Sequence, residues 1–305
     1  MGPVPAGLLE ARSALPTFGW DTVFTQGRPE LAPLLAIALA AGLYAAGVWR
    51  LTARGDRWAA GRTAAFAGGL LVVAVATVSG LAAYDDNLFG AHMVQHMLLS
   101  MGAPIFLALG APVTLALRTL PPRGRSVLLA LLHARLIRVL TFPLIPWLLF
   151  VGSPFALYFS GWYPATLDNR LLHELLHAHF LAVGCLFFWP LVGVDPVPGR
   201  VGHPFRMLML AATLPFHAFL GVAIMGVQED GVGLIAREHY LPLLGVHGAV
   251  FQQQVGGGAL WASGDLVGLL FLGVVLTQWM QASDREAARE DRRLDRLESE
   301  SLTNS

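Results

Sequence analysis

The stretch AHMVQHMLLSM, residues 91–101, places two histidines inside sequence that is otherwise apolar. His92 and His96 are four residues apart, so they share one face of an α-helix. An imidazole buried in hydrocarbon is costly unless another group binds it. The stretch therefore predicts a membrane-embedded helix whose histidines are satisfied from elsewhere in the protein.

The composition of the whole chain is that of a membrane protein. Of its 305 residues, 55% are hydrophobic and 13% are charged, whereas soluble domains carry about 25% charged residues. The formal net charge is zero, and we expect the lipid bilayer rather than nucleic acid as a partner. The single cysteine, Cys185, excludes an intrachain disulfide and a paired-cysteine metal site.

Seven apolar stretches are long enough to cross a bilayer, which takes about 20 residues. They predict an all-α polytopic bundle of seven transmembrane helices, in which Pro104 and Pro112 kink or end the third helix near Gly110. The predicted organisation is an N-terminal extracytoplasmic tail at 1–30, the transmembrane domain at 31–281 and a charged cytoplasmic tail at 282–305. The stretches are 31–50, 63–84, 89–117, 138–160, 169–191, 204–226 and 258–281.

The arginines predict the orientation of the bundle. Sixteen of them lie in connections or tails on one side of the predicted membrane and four on the other. Because positively charged connections stay in the cytoplasm, the N-terminus is predicted outside and the C-terminus inside a bacterial plasma membrane.

This orientation brings eight of the ten histidines towards the outer side. The third and fifth helices each begin with a pair at helical spacing, the sixth carries His217 in its outer half, and the connection before the seventh holds His239 and His247. Imidazole binds copper, zinc and iron, and methionine thioethers favour Cu(I). The pattern predicts a copper site of this His/Met set: His92, His96, His173, His177, His217 and Met97, with Met93 and His179 close by.

Two other metal chemistries fit the same histidines. Histidines on facing helices at similar depth can be the axial ligands of a b-type haem. Residues 173–177 read HELLH, which matches the HExxH pattern of zinc peptidases, with Glu174 as general base and Asp265 as the expected third ligand. A copper-uptake membrane protein is a further alternative, which would need ligands that continue to the cytoplasmic side.

Several longer motifs resemble one protein family. AHMVQHMLLSMGAPIFLALGAP in the third helix, LLHELLHAHFLAVGCLFFWPLVGVDP around the fifth, PFHAFLGVAIM in the sixth and QQQVGGGALWASGD at 252–265 resemble the CtaG family of caa3-type cytochrome c oxidase assembly factors. The resemblance covers roughly residues 30–280.

The resemblance implies a non-enzymatic assembly factor of the plasma membrane that works with cytochrome c oxidase subunits. Delivery of copper to the oxidase, whose copper centres lie towards the outer side of the membrane, is the activity it implies. By motif, the family's candidate residues are the two histidine pairs, His217, and Trp261 with Asp265 at the start of the seventh helix. Gln252 and Leu260 depart from the family's pattern, so that segment is not assigned to the metal.

Overall fold

The described part of the protein, in a computed structural model, is built of α-helices with one π-helical turn and no strand. It comprises residues 16–27, 29–199 and 201–303, so most of the predicted N-terminal tail lies outside the described residues. The helices are α1 Trp20–Thr25, α2 Leu31–Ala53, α3 Ala60–Val78, α4 Gly80–Tyr84, α5 Phe89–Met97, α6 Ala103–Leu109, α7 Pro112–Thr119, α8 Pro122–Leu132, α9 Arg135–Leu140, α10 Leu144–Tyr158, α11 Trp162–Asp168, α12 Arg170–Val192, α13 His203–Met225 and α14 Arg237–Thr303.

The helices confirm a polytopic membrane bundle. Within the described residues, six helical segments are long and apolar enough to cross a bilayer, and a seventh crossing is made if α10 and α11 count as one span. That pair is bent by 71°, and α9 is separate from it. The predicted bounds of the fourth span, 138–160, are therefore wrong in detail, because the chain turns at Pro143 and again after Tyr158.

The third span is the centre of the bundle, and it changes helical pitch in the middle. The π-helical turn Leu98–Gly102 joins α5 to α6, and Pro104 follows it. Proline has no N–H for the carbonyl of Ser100 and its ring would clash with that carbonyl in a regular α-helix. The helix is interrupted again at Ala111, which adopts a left-handed conformation with φ 51°. This agrees with the kink or end predicted near Gly110.

Small residues let the central helices pack closely. A Cβ added to Gly184 of α12 would overlap the backbone carbonyl of Ser100. On the other side, a Cβ on Gly257 of α14 would lie 2.8 Å from the Gly221 oxygen of α13. Glycine at such contacts is what allows helix backbones to approach in a membrane.

The last span begins earlier than the sequence indicates. Helix α14 starts at Arg237, is broken only at Gly245, and continues past the predicted tail boundary to Thr303. The predicted start at 258 is wrong, since the polar and glycine-rich residues before it pack against α5 and α13 as helix rather than forming a loop. His239 and His247 are consequently helical, and Asp265 lies well inside the span instead of at its start.

The two ends of the bundle differ in chemistry. The end that carries Asp85, His92 and His173 is called the histidine end below. The opposite end holds Arg54 with Arg118, whose backbone oxygen it contacts, and is called the arginine end. The predicted orientation, with the histidine end outside, stays a prediction.

The contact at Gly184 generates a test of this packing. We expect Gly184→Ala to destabilise the bundle by about 1–3 kcal/mol, because an added methyl group in a packed interior forces the helices apart. The measurement is thermal unfolding in detergent. Gly152→Ala in α10 is the matched control, since a Cβ there meets no atom within 4 Å; equal stability of the two variants would contradict the close contact.

Candidate metal centre

A carboxylate and two histidines meet at the histidine end. Nε2 of His173 donates a hydrogen bond to Oδ2 of Asp85 at 2.8 Å, and Nε2 of His177 lies 3.3 Å from the same oxygen. Among the described residues this is the one group of three His, Cys, Asp or Glu side chains whose ligand atoms lie within 4.8 Å of one another. All three side chains are nearly inaccessible to solvent.

The helices explain this meeting. His173 and His177 are one turn apart at the start of α12, so both rings project from the same face. Asp85 directly follows α4, a short helix that begins after a break at Ser79, whose hydroxyl accepts a hydrogen bond from the N–H of Leu81. The break turns the chain so that Asp85 points at the start of α12.

Asp85 is held as a carboxylate. Burial alone would raise the pKa of Asp85, but hydrogen bonding and charge attraction from His173 and His177 lower it below the usual value for an aspartate. Asp86 supports the group from the next position, with Oδ1 3.4 Å from Nδ1 of His173. His239 donates from Nε2 to the backbone oxygen of Asp86 at 2.8 Å, which fixes the turn between α4 and α5.

The other histidine pair shares one tyrosine. The hydroxyl of Tyr158 lies 3.1 Å from Nε2 of His92 and 2.8 Å from Nδ1 of His96. One hydroxyl hydrogen can be donated to only one ring, so the other ring donates to the oxygen. The ring of His96 also stacks on Phe180 with centroids 3.8 Å apart. These contacts pair one ring nitrogen of each histidine within the protein.

The two pairs are neighbours without forming one ligand set. The ring centroids of His92 and His173 are 6.4 Å apart. Nδ1 of His92 is buried and has no hydrogen-bond partner among the described residues. His92 therefore borders the Asp85 group, while His96 lies one turn further into the bundle.

The remaining predicted site residues lie elsewhere. Met97 lines an apolar groove of about 410 Å³ between α5 and α14, and Met93 packs against Gly256 of α14. His217 lies against Phe150 with ring centroids 5.3 Å apart and against the backbone of Gly264. The structure thus separates the methionines from the carboxylate–histidine group.

The other residues expected near the metal, Asp265, Trp261, Glu174 and His179, are likewise outside the group formed by Asp85, His173 and His177. His217 lies within electrostatic range of Asp265, and one carboxylate oxygen of Asp265 is buried with no hydrogen-bond partner among the described residues. Trp261 is 45% exposed on the outside of α14. Glu174 lies beside Glu30, and the ring of His179 is 6.1 Å from that of Phe180.

The donor atoms suit a transition-metal ion. Metal–ligand bonds of 2.0–2.1 Å in tetrahedral geometry put ligand atoms about 3.4 Å apart. The 3.3 Å separation of His177 and Asp85 matches this distance, whereas the 2.8 Å hydrogen bond of His173 to Asp85 would have to lengthen. Two imidazoles and a carboxylate are ligands for zinc, iron or Cu(II), whereas Cu(I) prefers sulfur, so the chemistry of the donor set fits a divalent ion.

The sequence profile of the cytochrome c oxidase caa3 assembly factor family, Caa3_CtaG, matches residues 42–282. The chain belongs to this family. It is similar to "Uncharacterized protein Mb0105" of Mycobacterium bovis, with 38% identity over 266 residues, and to "Uncharacterized protein ML1998" of Mycobacterium leprae, with 35% identity over 267 residues. Each match covers 85% of this chain and 40% of the relative. No solved structure matches the chain.

The sequence pattern did not single out Asp85 and Tyr158. It named Asp265 as the acidic partner of the HELLH histidines, but the structure brings Asp85 to them. The sequence did contain an indication of Asp85: Asp85 and Asp86 directly follow the second predicted span, on the same predicted side of the membrane as the histidines. Tyr158 lies near the end of the fourth predicted span at that same level.

The bridging hydroxyl gives a test of the second histidine pair. We expect Tyr158→Phe to lower the free energy of unfolding by about 1–3 kcal/mol, because the change leaves a buried ring nitrogen of each of two histidines without a partner. Thermal unfolding of the purified protein in detergent measures it. The matched control is Tyr240→Phe, which removes the buried 2.6 Å hydrogen bond to Tyr163. A smaller loss for Tyr158→Phe than for Tyr240→Phe would contradict the bridge.

Proposed function

We propose that this chain assists cytochrome c oxidase assembly by binding copper as cargo at Asp85, His173 and His177. The observation that carries the proposal is the convergence of three metal-ligand side chains at one end of a membrane bundle. Membership of an oxidase assembly family supports the oxidase as recipient. The proposal does not use Met97, which faces α14.

The ligand set favours copper in its divalent form. For nitrogen and oxygen ligands, affinity among the divalent first-row metals is greatest for Cu²⁺. The negative charge of Asp85 offsets part of the charge of the ion and lowers the cost of holding it in a buried position. This differs from the Cu(I) site predicted with methionine, because the carboxylate replaces the thioether as the third ligand.

The site suits a cargo that must leave again. Three protein ligands leave a coordination position for a water molecule or for a ligand of the recipient. The predicted orientation puts the site at the outer side, the level at which the family's oxidase takes up copper. A haem at the same place is disfavoured, because the stacking of Phe180 on His96 fills the space beside that ring.

Metal binding by the purified full chain tests the proposal. We expect near-stoichiometric Cu²⁺ after loading and removal of excess metal, measured by elemental analysis. Replacement of an outer-sphere partner of a metal costs 10–100-fold in affinity, so loss of a direct ligand in Asp85→Asn, His173→Ala or His177→Ala should weaken binding by about 100-fold or more.

Two histidines outside the group serve as controls for this measurement. His247→Ala replaces a histidine that is exposed on the surface of α14. His217→Ala removes a buried imidazole that packs against Phe150 and Gly264. Both variants should retain copper. Copper that is lost from His217→Ala but kept by Asp85→Asn would overturn the assignment of the site.

A zinc hydrolase is the second candidate, because Asp85 supplies the third ligand that an HExxH site needs. Its general base would be Glu174, which in this structure lies beside the carboxyl group of Glu30. Glu174→Gln separates the two functions: oxidase assembly and copper binding should persist in this variant. Loss of assembly with metal content unchanged would favour hydrolysis over cargo binding.

A further inference from the structure

The connection between the third and fourth spans exposes an unusual combination of side chains. Residues 120–143, called the basic connector here, contain the two short helices α8 and α9, and neither helix has a buried residue. Their 11 and 6 residues are too few to cross a bilayer, which takes about 20. The two connector helices therefore lie alongside the bundle at the arginine end, and Thr141, which follows them, is the buried residue of the connector.

Large apolar side chains of the connector are left exposed by the described part of the protein. Leu131 is 58% exposed and Leu136 is 67% exposed. The other strongly exposed apolar residues are Val127, Leu129, Val139 and Phe142. Because so much apolar surface on a short segment is unfavourable in water, the segment is suited to an apolar environment.

The charges of the connector all have the same sign. It carries four arginines, Arg123, Arg125, Arg135 and Arg138, and no acidic residue occurs between Asp86 and Asp168. The first two arginines precede the apolar run at 127–132, and the others flank Leu136. An arginine can lay its apolar stem along such a surface while its guanidinium group reaches the water.

We propose that the basic connector is an interfacial anchor that lies in the bilayer surface and binds the headgroups of anionic phospholipids. Basic segments with leucine-rich faces bind membranes in this way. The bilayer is favoured over a protein partner because the connector is joined at both ends to membrane-spanning helices, which hold it at the lipid surface. The proposal is independent of the metal site.

Lipid contact is measured first, on the full chain reconstituted in vesicles of phosphatidylcholine and phosphatidylglycerol. In a Cys185→Ala background, Leu131→Cys and Leu136→Cys each carry an environment-sensitive fluorophore, and nitroxide-labelled lipids quench it. We expect strong quenching by nitroxides near the headgroup. Ala287→Cys, on the exposed surface of the last helix, is the control and should stay unquenched.

Headgroup preference is measured second, with variants matched in charge. The four connector arginines are changed to glutamine in one variant, and Arg285, Arg289, Arg292 and Arg293 of the last helix in the other. Each basic residue near an anionic surface contributes about fivefold to the attraction. We expect the ratio of phosphatidylglycerol to phosphatidylcholine retained by the protein to fall about tenfold or more in the connector variant only.

Three results would overturn the anchor. The first is quenching at positions 131 and 136 no greater than at 287. The second is an equal change of lipid preference in the two arginine variants. The third is a fluorophore at 131 or 136 that is water-exposed in vesicles and becomes protected only when oxidase subunits are added, which would assign the connector to a protein partner.

Discussion

The close contact between α12 and the π-helical turn determines where the two histidine pairs meet. Gly184 has no side chain, so the backbone of α12 lies directly against the Ser100 carbonyl. Pro104 has no N–H to donate to that carbonyl in an α-helical pattern. The wider π-helical turn accommodates both the proline ring and the approach of Gly184. With α5 and α12 in this contact, His92 and His173 come to neighbouring positions at the histidine end.

Polar side chains at this end hold the helices together, although one ring nitrogen each of His92, His173 and His177 has no hydrogen-bond partner among the described residues. Asp85 accepts from His173, and Tyr158 serves both His92 and His96. Unpaired polar groups are expensive in hydrocarbon, so each of these contacts contributes to holding its helix in place. The rings of His92 and His173 have centroids only 6.4 Å apart, so the proposed metal binding would depend on residues next to those that hold the helices together.

Much of the fold was predictable because the bilayer imposes length and composition on each span. The 20-residue apolar stretches identified five of the seven spans closely, and the i, i+4 spacing correctly placed each histidine pair on one face. Proline at 104 and 112 correctly indicated a break in the third span. These predictions depend only on residues close in sequence, which is why they hold without knowledge of the packing.

The errors concern contacts between distant segments. Gly256 and Gly257 lie before the predicted seventh span, yet they are the surface on which α5 and α13 approach α14. Asp85 ends an apolar stretch and reads as a boundary residue until α12 is placed beside it. Met93 and Met97 have the same four-residue spacing as His92 and His96. Each methionine comes one residue later on α5 than its histidine, so the methionines face α14. Periodicity identifies a face of a helix, whereas only packing identifies the neighbour of that face.

The burial of the Asp85 group bears on how a cargo would be exchanged. His173 and His177 are each less than a tenth exposed, so an ion reaches them only when neighbouring segments move. Helix α1 is the short element that packs on this region: the backbone of Thr22 contacts Gly80 so closely that a side chain there would not fit, and Tyr84 donates to the Pro16 oxygen at 2.6 Å. Those contacts join α1 to the α4 segment that ends at Asp85. A displacement of α1 would therefore act on Asp85, and under the proposed function this is how a recipient at this surface would loosen the group.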